Sequence, residues 1–300
     1  MTPSPRSKSV QRYGEDHPDM APTLAFFEKL WSLQDSIAEE APDWEPPAAD
    51  EVETALKSHR ILFAISAPPV PAEAFRRALR SVADLLAEEG GLPLEQADAL
   101  KAADFENVVT DDMAADILKG VDAFVSAMYE KLDSDDAGAP LSTFSFIVTT
   151  ALTPFIVAGA TKALKPLKPF DWTRWDSGLC PVCGTPASSG RVIDGGELKG
   201  SIRMLSCPLC RAEWGFTRLR CARCGERSQG KLEYLFDEQD PGHRIHTCKI
   251  CHGYLKTSFE KDLGFSVDPT VEEVVMLALD AVATQRGLTP LGDDDTPAAN

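Results

Sequence analysis

All eight cysteines of this 300-residue chain lie in Cys-x2-Cys pairs, and the four pairs form a duplication. Cys180 and Cys183 are followed, after 23 intervening residues, by Cys207 and Cys210. Cys221 and Cys224 are followed, again after 23, by Cys248 and Cys251. A shift of 41 residues lays one set on the other, and with it Gly184 on Gly225, Arg203 on Arg244 and Ser206 on Thr247. Two thiols at i and i+3 of a tight knuckle can face one ion, and a second knuckle completes a tetrahedron of sulfurs about 2.3 Å from the metal. Gly184 and Gly225 follow second cysteines, where a turn into positive φ costs glycine little. Pro181 and Pro208 follow first cysteines, at a turn position suited to fixed φ. The spacing predicts two M(Cys)4 sites, one on Cys180, Cys183, Cys207 and Cys210, the other on Cys221, Cys224, Cys248 and Cys251. Sulfur ligation alone leaves iron and zinc both open.

Structural disulfides would need an oxidising compartment. Residues 1–19 are polar and rich in proline and serine, without an apolar stretch, so no secretory signal is visible. A thioredoxin-like redox motif explains one CxxC, not four in matched units.

The formal charge of −17 is carried mostly by the first 170 residues, while the cysteine-bearing region is mildly basic. A divalent ion on four thiolates has a net charge of −2, so two such sites cancel that excess. Arg203, Arg211, Arg218, Arg220, Arg223 and Arg227 gather around the inner knuckles. They read first as solvated surface, and second as a face for an acidic protein or a phosphorylated cofactor. The acidic balance of the whole argues against nucleic-acid binding.

The fold class expected is α+β: a helical N-terminal domain, two tandem rubredoxin-like (zinc-ribbon-like) metal knuckle modules, and a C-terminal helix. Residues 1–20 read as disordered. A helical domain over 21–164 follows. Its first helix starts near Thr23 with Leu24, Phe27, Leu30, Trp31 and Ile37 on one face; its second starts near Asp50 and carries Val52, Leu56, Ile61, Leu62 and Ile65. A third presents Phe75, Leu79, Val82, Leu85 and Leu86 and ends at Gly90-Gly91. A short helix over 93–103 and one over 112–131 come next. The uncharged stretch 137–161 is expected as a buried central helix, because its Ser and Thr residues and Pro154 dilute a membrane-span pattern. A linker at 165–171 leads to metal modules over 172–217 and 218–262. Strands are expected at 201–206, 213–216, 231–236, 244–247 and 254–259. A helix over 263–287, opened by Pro269, and a flexible tail at 288–300 close the chain.

No catalytic constellation is present, and P-loop, GxGxxG and HExxH patterns are missing. With eight thiolates filling two tetrahedra, His243, His246 and His252 read as outer donors or partner contacts rather than ligands. His59 reads as a helix-surface residue and His17 as part of the loose N-terminus.

The order of parts and several strings resemble the formate dehydrogenase accessory protein FdhE family. The strings are Cys180-Pro-Val-Cys183-Gly184, Arg203-Met-Leu-Ser-Cys207-Pro-Leu-Cys210, Glu213-Trp214 with Arg218 and Cys221-x2-Cys224, Cys248-x2-Cys251-x2-Tyr254-Leu255-Lys256, and Leu279-Asp280. The resemblance implies a non-catalytic, cytoplasmic maturation factor. It would bind the immature catalytic subunit of a molybdenum or tungsten formate dehydrogenase, whose cofactor is bis-molybdopterin guanine dinucleotide. It implies rubredoxin-type sites holding two iron ions, with zinc as the alternative. It also implies a partner-contact role for Cys180, Cys183, Cys207 and Cys210, beside Arg203, Arg211 and Arg218. A homodimer is compatible with this reading; nucleic acid and stable membrane insertion are not expected. The family often opens its last helix with Asp-Asp, whereas this chain has Val267-Asp268-Pro269-Thr270, so that segment is assigned packing alone. A rubredoxin-like electron-transfer protein with Fe(Cys)4 sites is the alternative function.

Overall fold

The computed structural model describes residues 4–132, 138–165, 175–194, 201–228 and 230–292. The expected linker at 165–171 and the start of the first metal module lie almost wholly outside these residues, as does most of the tail. The chain forms two compact units. One comprises Met1–Leu24, Ala49–Leu62 and Leu167–Asn300; the other comprises Ala25–Ala48 and Phe63–Pro166.

The second of these is helical. α4 (Ala72–Glu89) buries Phe75, Ala78, Leu79, Val82, Ala83 and Leu86, a stripe at helical spacing. α5 (Leu94–Ala102), α6 (Phe105–Val108), α7 (Asp111–Asp116) and α8 (Val121–Lys131) follow. The single helix expected over 112–131 is broken, because Gly120 is extended (φ −177°) after a 3-10 turn. α9 (Leu141–Leu164) is long and apolar enough to cross a membrane, yet Phe144, Ile147, Val148, Leu152, Phe155 and Ile156 are all buried inside the protein. Pro154 has no N–H and leaves the Thr150 carbonyl without its helical donor. The side-chain amide of Gln34, on α2 (Ala21–Glu39), donates to that carbonyl at 2.9 Å. The central helix can therefore carry a proline.

The other unit holds a seven-stranded sheet. Its strands are β1 (Ser189–Asp194), β2 (Ser201–Ser206), β3 (Glu213–Phe216), β4 (Leu232–Asp237), β5 (Asp240–Cys248), β6 (Gly253–Phe259) and β7 (Thr289–Pro290). The order is β3-β2-β1-β6-β5-β4, with β7 on β6. Each half is an antiparallel three-stranded meander, and the halves meet where β1 pairs β6 in parallel, from Ser189 opposite Lys256 to Val192 opposite Phe259. The two modules are therefore not separate ribbons. They join head to tail, the first strand of one against the last strand of the other. β6 is buried from Gly253 to Ser258, as expected for a strand covered on both faces.

Helices α10 (Glu260–Leu263), α11 (Pro269–Val275) and α12 (Leu277–Gln285) pack on this sheet. The last two replace the single helix expected. They separate at the buried Met276, and Asp268 caps α11 by accepting from the N–H groups of Thr270 and Val271.

The expectation of disorder over 1–20 is overturned for the described residues. α1 (Pro5–Asp16) is capped by Ser4 and buries Ser9 and Tyr13 against the C-terminal part of the unit. α3 (Ala49–Lys57) also belongs here, not with the helical unit. It stops short of Ile61, and His59 takes a left-handed φ of 54° with its ring stacked on Trp175. His59 is thus a turn residue with an aromatic partner rather than part of a helix face.

Candidate metal centres

Four knuckles share one backbone geometry. The residue after each second cysteine turns into positive φ: Gly184 at 82°, Arg211 at 56°, Gly225 at 76° and His252 at 54°. Its N–H donates back to the first cysteine's carbonyl at 3.0, 3.1, 3.0 and 2.9 Å respectively. Glycine marks two of these turns in the sequence. Arg211 and His252 adopt the same conformation without that signal, because the loop closure demands it.

The knuckles bring Cys180, Cys183, Cys207 and Cys210 into one cluster and Cys221, Cys224, Cys248 and Cys251 into another, with all four sulfurs of each within 4.8 Å of one another. The closest sulfurs are Cys180–Cys210 and Cys183–Cys207, both 3.4 Å, and their counterparts Cys221–Cys251 at 3.6 Å and Cys224–Cys248 at 3.7 Å. These distances are far too long for disulfides. A tetrahedron with metal–sulfur bonds of about 2.3 Å has edges of about 3.8 Å. The sulfurs therefore fit an M(Cys)4 ion, and they are the residues that would hold it. Such an ion would crosslink distant knuckles and, with every position occupied by sulfur, present no open site for substrate.

Backbone N–H groups also point at sulfur: Val182 at Cys180, Cys210 at Cys207 and Gly253 at Cys251, each at 3.4 Å. Without a cation, four thiols this close divide unequally. Burial drives Cys180 up, and the Cys180 thiol drives Cys210 up, while hydrogen bonds from Cys180 and Cys251 pull Cys183 and Cys221 down, the latter to about 5. A central cation favours the thiolate at all four.

The first cluster is jacketed by packed side chains. Trp214 is fully buried and donates to the Ser177 carbonyl at 3.0 Å; Trp175 donates to Leu179 O at 2.8 Å. Leu62 N–H donates to Pro181 O at 3.1 Å, and Ile61 lies against Gly184. Three of its cysteines are buried, against two in the second cluster.

The arginines divide. Arg218 and Arg227 are exposed and Arg211 is half-buried. Arg220 and Arg227 both pair with Asp176. Arg203 is 1% exposed, which removes it from the expected partner surface. The histidines are corrected too. His243 lies away from the knuckles, in a buried network with Asp240 (2.8 Å), Glu272 (3.2 Å) and the Tyr13 hydroxyl (3.1 Å). Tyr13 and Ser258 also donate to Glu272. Burial opposes charge on His243, but hydrogen bonds and charge from Asp240 and Glu272 prevail and raise its pKa to about 9. His246 is buried and stacked on Tyr234; burial and the Arg203 charge lower it to about 3. His252 is an exposed knuckle residue, and His17 caps α1.

Two of the strings that prompted the family resemblance meet in the fold. Tyr254 and Lys256 both reach Asp280, at 2.8 Å each, locking β6 to α12. No sequence signal marked Asp240, Glu272 or Tyr13 as members of a shared network.

Residues 179–218, which hold the first cluster, match the family description "FdhE, central domain". The chain is 29% identical to a Protein FdhE homolog of Stutzerimonas stutzeri, over 94% of this chain and 85% of that one. It is 32% identical to one of Pseudomonas aeruginosa over 55% of this chain and 58% of that, and 28% identical to one of Aquifex aeolicus over 56% and 55%. The crystal structure of the FdhE protein from Pseudomonas aeruginosa shares the fold, with a TM-score of 0.54 and 20% identity over 97% of this chain and 95% of that one. The central-domain match, one near full-length relative and the common fold agree: the chain is similar to FdhE proteins in its first cysteine cluster, along most of its length and in its fold.

Proposed function

We propose that this chain is a non-catalytic maturation factor for formate dehydrogenase, holding the immature catalytic subunit of the molybdenum or tungsten enzyme while its bis-molybdopterin guanine dinucleotide cofactor is installed. The observation that carries this reading is the pair of closed four-sulfur clusters in a chain similar to FdhE proteins. A closed tetrathiolate organises backbone and offers no coordination position for chemistry. The eight cysteines would hold two ions, iron of the rubredoxin type or zinc, and the client would be met in the cytoplasm. Its contact would include the half-buried Cys183 edge of the first cluster with Arg211 and Arg218, and a face of the helical unit.

The test is capture. A tagged chain should retain the formate dehydrogenase catalytic subunit from cell extract and show no turnover of formate alone. Replacing Cys180 and Cys183 together by serine should cut capture at least tenfold while the helical unit keeps its far-ultraviolet circular dichroism. Capture at full strength by that variant would refute the contact. Metal analysis with a visible spectrum, on protein purified without oxygen, separates iron from zinc.

One observation favours the electron-transfer reading: Cys224 and Cys251 of the second cluster are only half-buried, leaving a short path from sulfur to solvent. A reversible one-electron couple in voltammetry of the iron-loaded chain would support it, and a featureless sweep would remove it.

A further inference from the structure

Arg203 is a fully buried guanidinium with no carboxylate partner among the described residues. It stands on β2 opposite Phe216 of β3. Its guanidinium carbon lies 5.8 Å from the centre of the Phe216 ring, and that of Arg220 lies the same distance from the same ring. One nitrogen, Nη1, donates to the Arg220 carbonyl at a long 3.4 Å; Nε and Nη2 have no hydrogen-bond partner among the described residues. A buried charge left this bare is costly unless something of opposite sign stands near it.

The structure shows what stands near it. Arg203 lines a cavity of about 10 Å³, room for one water, together with Cys221 and Cys248 of the second cluster. A divalent ion on the four thiolates of that cluster would give it a charge of −2, opposite in sign to the arginine beside it. The duplicated position makes the contrast. Arg244, 41 residues on, lies closer over a ring, 3.9 Å from the centre of Phe259, and it is paired with Asp262. The arginine facing a cluster lacks a carboxylate among the described residues, and its repeat has one.

We propose that Arg203, a residue of the first module, is the buried counter-cation of the second four-cysteine centre, so that an ion held there and the core of the neighbouring module stabilise each other. The proposal rests on the reading that these cysteines hold metal. Arg203 is a positioning residue: it touches no client and acts through the charge of the cluster. When a divalent ion leaves and four protons take its place on the sulfurs, the cluster goes from −2 to neutral; that exchange is slowed because it would strand the guanidinium in a low-dielectric site.

The experiment uses the full chain loaded with cadmium-113 at both centres, and follows each resonance as chelator removes the ion. In Arg203→Met the second centre should empty at least tenfold faster than in the unaltered chain, with the first centre within threefold. Arg203→Lys, which keeps the charge, should hold the second ion within about threefold of the unaltered rate. Equal loss from both centres in Arg203→Met would make Arg203 a packing residue and overturn the proposal, as would unchanged retention, or a lysine variant as leaky as methionine. Should Arg203→Met not fold, Arg203→Gln, which can keep the bond to the Arg220 carbonyl, is judged by the same criteria. An unaltered chain that binds fewer than two ions refutes the metal reading itself; two ions with retention indifferent to residue 203 refutes only the counter-cation.

Discussion

The two four-cysteine clusters have the same ligand frame and different jackets. Both use the same turn, the same back-bond and the same paired sulfurs, displaced by 41 residues. Around the first, the neighbours are Trp175, Trp214, Ile61 and Leu62. Around the second, they are Arg203 and Arg223, with Tyr254 and Leu255 of β6. A duplicated metal frame fixes local backbone so firmly that its surroundings are free to diverge. One site is insulated by apolar packing, the other is set in positive charge.

The largest test of this division removes one ligand from each cluster in turn. Cys180→Ser and Cys221→Ser should each lose one ion of two in metal analysis, at a cost on the order of 10 kcal/mol of folding free energy per ion. Because the jackets differ, the Cys180→Ser chain should also lose tryptophan near-ultraviolet dichroism, whereas the Cys221→Ser chain should keep most of it. Identical spectra would break the comparison.

Next in size is the jacket itself. Trp214 and its repeat counterpart Leu255 are both buried, but Trp214 fills more volume. Trp214→Ala should cost about 3–5 kcal/mol and Leu255→Ala about 2–5 kcal/mol in urea unfolding. The tryptophan change should speed ion release from the first centre, the leucine change from the second.

The second module carries a buried titrating group apart from its cysteines, His243. His243 is held at about 9, against roughly 6.5 when unfolded. Its contribution is complete below about pH 6.5 and is lost as pH rises through about 9. The groups facing it are Asp240 on its own strand, Glu272 on α11 and Tyr13 on α1. Urea midpoints of the unaltered chain should therefore fall between pH 6.5 and 9. His243→Gln should flatten that fall and cost about 3–5 kcal/mol at pH 6.5, since it strands buried Glu272.

The smallest effect concerns the turns. Left-handed backbone costs a non-glycine residue about 1 kcal/mol. Arg211→Gly and His252→Gly should each shift stability by no more than about 1 kcal/mol. Gly184→Ala should destabilise, because it places a Cβ at positive φ and 2.7 Å from Ile61. Thermal melts of the three variants suffice.

How much of this could be read from the chain follows from where each signal lies. The clusters were legible because ligand type and knuckle spacing are local. Five strands were legible from apolar, β-rich runs, but β1 was not, since Ser189-Gly190-Arg191 carries no such pattern. The parallel seam joins Ser189 to Lys256, and no local spacing encodes a pairing between strands so far apart. Arg203 was misread as surface because a charged residue is expected outside unless a compensating anion is known, and here that anion would be a metal cluster. α1 looked disordered because its residues are polar; a single tyrosine with partners far along the chain makes it a helix of the core.

That last contact has a consequence for how the molecule is made. Tyr13 is 230 residues from His243 and 259 from Glu272. At a synthesis rate of about 5–20 residues per second, the first helix leaves the ribosome roughly 10–50 s before its partners exist. All segments of the helical unit are made before the sheet, so it can close during that interval. The metal-bearing unit cannot finish until the chain is nearly complete. Its two ends meet last, and a ribosome stalled before α11 would leave a nascent chain with finished knuckles and an open clasp.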